Sequence, residues 1–66
     1  MRKLGDARGK LCEVEVRLDA NGRDHVAYEQ LWTGGEVALV SRPTEEEAFD
    51  AAAEYLRTRG TYQRIV

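Results

Sequence analysis

The chain has 66 residues, 42% of them hydrophobic and 33% charged, and a net charge of −2. That length holds one domain whose core is close to the smallest that folds unaided, and the composition is globular rather than disordered. A lone Cys12 excludes an internal disulfide, no Cys or His cluster offers a zinc site, and the longest aliphatic run, residues 37–40, is far too short to cross a bilayer. With no secretory leader pattern either, a reducing cytoplasm is the expected compartment.

The charge is unevenly placed. Residues 1–10 carry Arg2, Lys3, Arg8 and Lys10 against Asp6, a net +3, which leaves −5 for the remainder. The expected organisation is a flexible basic arm over residues 1–10 joined to a single domain over residues 11–66. Such an arm suits polyanions, so nucleic-acid binding through Arg2, Lys3, Arg8 and Lys10 is an alternative reading.

Residues 12–18, CEVEVRL, alternate strictly, with Cys12, Val14, Val16 and Leu18 on one face and Glu13, Glu15 and Arg17 on the other. That is a half-buried strand, in which Cys12 is a small apolar core residue. The turn DANG comes next, and two hairpins compete for it. A two-residue Asn21-Gly22 turn sets Val14 opposite Glu29. A turn starting at Asp19, with Gly22 in the left-handed position, pairs Asp19 with Arg23 and sets Val14 opposite Tyr28 and Val16 opposite Val26. A one-residue slip exchanges faces, and the second register puts more apolar side chains together, so it is the expected one.

The next strand is then expected over residues 25–33, HVAYEQLWT, with Val26, Tyr28 and Trp32 on the core face and Gln30 its one polar member. A two-residue Gly34-Gly35 turn leads into EVALVSR, pairing Trp32 with Val37, Gln30 with Leu39 and Tyr28 with Ser41. Pro43 stops this strand. Thr44 and Glu47 form a capping box, each side chain serving the other's unpaired backbone N–H. Glu45, Glu46 and Glu47 complement the positive end of the helix dipole, Arg57 and Arg59 the negative end, and Gly60 is a natural stop. The spacing predicts a helix over residues 45–59, about 22 Å long at 1.5 Å per residue. Phe49, Ala52, Ala53 and Leu56 form its inward stripe, with Ala48 and Tyr55 beside it. The tail TYQRIV, residues 61–66, reads either as a short C-terminal strand or as a segment that pairs with another copy.

Groups that could carry chemistry are few. His25 and Asp24 are sequence neighbours near a turn and point to opposite faces; Ser41 has no histidine in register; Gly34-Gly35 joins strands rather than opening a helix. No catalysis, metal or cofactor is expected. Two surfaces remain. One is the acidic ladder Glu46, Asp50 and Glu54, whose like charges at i, i+4 and i+8 weaken the helix slightly and could meet a basic partner. The other is the outer sheet face, where Ala27, Leu31, Ala38 and Val40 would form an apolar centre rimmed by Glu13, Glu15, Glu29, Arg17, Arg42 and Thr33, an arrangement typical of interfaces.

The segment TEEEAFDAAAEYL resembles the last helix of double-stranded-RNA-binding domains, which comes after three antiparallel strands. That resemblance implies phosphate-gripping lysines at the helix start, where this chain has Glu45 and Glu46, and a first helix that only the basic arm could supply. The charge reversal argues against RNA on that face. The same helix is similar to that of HicB-type antitoxins, without their usual Pro- and Gly-containing stretch or DNA-binding extension. A capping box with a packed alanine face is generic enough to meet both, so neither family is assigned.

The expected fold is α+β, a three-stranded antiparallel meander with one C-terminal helix on one face. The expected function is a non-catalytic protein-binding module (a small regulator, an antitoxin-like component or a phage-type inhibitor) docking through the outer sheet or the acidic helix. Its alternatives are nucleic-acid binding by the arm and a structural homodimer without external ligand.

Overall fold

A computed structural model describes the backbone of residues 1–63 and the side chains of residues 1–58. The fold is α+β. Strands β1 (Arg2–Gly5), β2 (Leu11–Leu18), β3 (His25–Gln30) and β4 (Glu36–Arg42) form one antiparallel sheet in the order β1-β2-β3-β4, succeeded by helix α1 (Glu45–Gln63). The sheet thus has four strands rather than three. The added strand comes from the basic segment expected to be a free arm, and it pairs Leu4 with Cys12 and Arg2 with Val14.

All three hairpins turn on one device, a four-residue unit that ends in glycine. In Asp6-Ala7-Arg8-Gly9, Asp19-Ala20-Asn21-Gly22 and Leu31-Trp32-Thr33-Gly34, the glycine N–H bonds the first residue's carbonyl at 2.9–3.0 Å. Those glycines have φ of +82°, +72° and +98°, which an L side chain rarely adopts. The first turn is further fixed by the Asp6 carboxylate, which accepts the backbone N–H of Arg8 and of Lys10 at 2.9 Å each.

The hairpins differ beyond the glycine. Asp6 pairs at once with Lys10, and Leu31 with Gly35, but Asp19 pairs with Asp24. The middle loop is therefore one residue longer than expected, with Asn21 Oδ1 holding the N–H of Arg23 at 2.9 Å. This extra residue exchanges the faces of β3. Val14 lies opposite Glu29, Val16 opposite Ala27 and Glu15 opposite Tyr28. Ala27, not Val26 or Tyr28, enters the core.

The last hairpin corrects a second expectation. Trp32 lies in a three-residue loop rather than on a strand, and β3 ends at Gln30, paired with Glu36. A shift in pairing between Ala27 and Tyr28 sets Val40 opposite Ala27 but Ala38 opposite Tyr28. The unpaired Leu39 and its neighbour Val40 both pack against the core, the two-against-one arrangement of a β-bulge.

The core consists of Cys12, Val14, Ala27, Ala48, Phe49, Ala52 and Leu56, with Leu4, Val16, Leu39 and Val40 packed around it. An alanine at the sheet centre lets the alanine face of α1 approach; the larger Tyr28 would hold it off. The helix begins at the expected cap, where Thr44 Oγ1 accepts the Glu47 N–H at 3.2 Å; the Glu47 carboxylate accepts from the Thr44 hydroxyl at 2.8 Å rather than from its backbone N–H. It does not stop at Gly60 but runs to Gln63, so residues 61–63 are helical rather than a strand, and residues 64–66 lie outside the described residues.

The register makes a direct prediction. Ala27→Glu should unfold the protein or cost more than about 3 kcal/mol, by burying a charge without a partner. Val26→Glu, on the opposite face beside Arg17, should stay within about 1 kcal/mol. Denaturant melts of the two variants decide it, and the reverse order would restore the other register.

Candidate docking site

The sheet face away from α1 is a polar network. Arg17 lies over the Tyr28 ring at 4.1 Å, bonds Glu36, and sits 3.9 Å from Glu15. Gln30 Nε2 donates to Glu36 at 3.2 Å and to Glu15 at 3.5 Å. Three strands thus contribute to one set of mutually satisfied groups. The apolar centre expected on this face is not assembled. Ala27 is fully buried and Val40 half-buried on the helix side, Leu31 belongs to the β3–β4 turn, and only Ala38 sits on the outer face. Glu29 and Arg42 also register with the helix side, opposite Val14 and His25 respectively.

The acidic ladder is partly neutralised. Glu46 binds Arg2 at 3.1 Å, Glu54 binds Arg57, and Asp50 is exposed. Arg2 also lies over the Phe49 ring at 4.1 Å, so this cation of the expected arm clasps β1 to the helix. Lys3, Arg8 and Lys10 are exposed. His25 Nδ1 lies 3.2 Å from the Pro43 carbonyl, at the entry to α1.

Several exposed apolar side chains gather at the end of the sheet that carries the Trp32 turn, while Leu18 and Tyr55 are exposed elsewhere. Trp32 is 94% exposed, Leu11 62%, Val37 44% and Leu31 38%. Beside Trp32 opens a groove of about 490 Å³, lined by Lys3, Lys10, Leu11, Cys12, Glu13, Glu29, Gln30 and Leu31. Lysines from β1 and its turn form one side; β3 and Trp32 form the other; β2 lies between. Of the residues expected to form an interface, Leu31, Glu13 and Glu29 meet here, joined by Lys3 and Lys10 from the expected nucleic-acid set. Sequence reasoning missed Trp32 and Leu11. The signal was present in the glycine of LWTG, which occupies the same place as that of DARG.

No known protein family, curated protein or solved structure matches this chain. Among the described residues, no helix is long and apolar enough to cross a membrane, and no group of three or more His, Cys, Asp or Glu could hold a metal ion.

The outer network has a pH signature. The hydrogen bond from Arg17, then that from Gln30, hold the Glu36 carboxyl below its ordinary 4.5, outweighing a desolvation in the opposite sense. A depressed folded value means that the Arg17–Glu36 contribution is complete above pH 4.5 and is lost as pH falls through the folded value. NMR titration should show Glu36 protonating below 4.5 in the native chain and returning toward 4.5 in Arg17→Ala.

Proposed function

We propose that this chain is a non-catalytic protein-binding module of the cytoplasm, a small regulator of the antitoxin or phage-inhibitor kind, that docks through the Trp32 end of its sheet. The observation that carries this reading is a tryptophan 94% exposed at a hairpin tip. Tryptophan offers the largest apolar side chain and is the residue most enriched among those that dominate binding energy. Gly34, at φ +98°, closes the tight turn that carries the ring. Leu11 and Leu31 extend the apolar patch, and charged side chains rim it.

A second reading rests on the same groove. Lys3 and Lys10 beside an exposed indole resemble the stacking platforms that hold single-stranded nucleic acid. Glu13 and Glu29 line the groove too and offset that charge, so protein docking ranks first.

A photoreactive phenylalanine analogue at position 32, activated in the cells that make the protein, tests both. Cross-links to a defined protein support the module. Nucleic-acid adducts would promote the second reading, and the absence of any adduct would remove the Trp32 end from consideration.

A further inference from the structure

No further inference is drawn: the strongest candidate, the groove beside Trp32 at the end of the sheet, belongs to the docking site already described, and nothing in the structure shows what covers it.

Discussion

The structure depends on which side of β3 faces the helix. Ala27 and Val40 stand opposite each other near the centre of the sheet, and the buried stripe Ala48, Phe49, Ala52 and Leu56 packs in the same cluster. Close packing there requires small groups, because a helix approaches a sheet no nearer than its bulkiest interfacial side chains allow. Once Ala27 is inward, Tyr28 must be outward, where its ring supports Arg17. Arg17 then meets Glu36 across the sheet, and the face that looked suited to docking becomes a network of satisfied charges. One register choice decides both the core and the candidate site.

Much of this was legible. Strict alternation marks β2, the capping box marks the start of α1, and spacing gives Phe49, Ala52 and Leu56 of the inward stripe, although Ala48 rather than Ala53 completes it and Tyr55 is exposed. The left-handed glycine of the middle turn was also readable from DANG. The number of residues between that glycine and the first pair was not. Hydropathy favours Val26 and Tyr28 over Ala27 as core residues, and counting apolar side chains therefore gives the wrong face. The count ignores shape. An alanine-rich helix asks for a small partner on the sheet, and that demand is visible only when both surfaces are considered together.

The site was legible in pieces. Leu31 and Glu29 belong to it, but through the turn and the helix-side face rather than the outer face. Lys3 and Lys10 belong to it because β1 is a strand, which net charge alone conceals. A segment so rich in cations looks like a loose arm, yet Leu4 reaches the core and Arg2 bridges Phe49 and Glu46. Exposed ion pairs of this kind contribute little singly. The pairing with β2 holds β1 in place, and Arg2 sets its orientation toward the helix.

Trp32 is the residue that the fold does not require. The turn from β3 to β4 needs Gly34 for its left-handed backbone, and nothing in its geometry calls for an aromatic side chain two positions earlier. The ring adds nothing to the core and leaves a large apolar surface in water. Isolated apolar residues on a surface need no explanation. An exposed tryptophan that lines one groove of about 490 Å³ together with Leu11 and Leu31 is a different case. Leu18, at 57%, and Tyr55, at 41%, are exposed as well, but neither lines that groove. The argument for docking therefore starts at the Trp32 end, where exposed apolar side chains and a groove coincide.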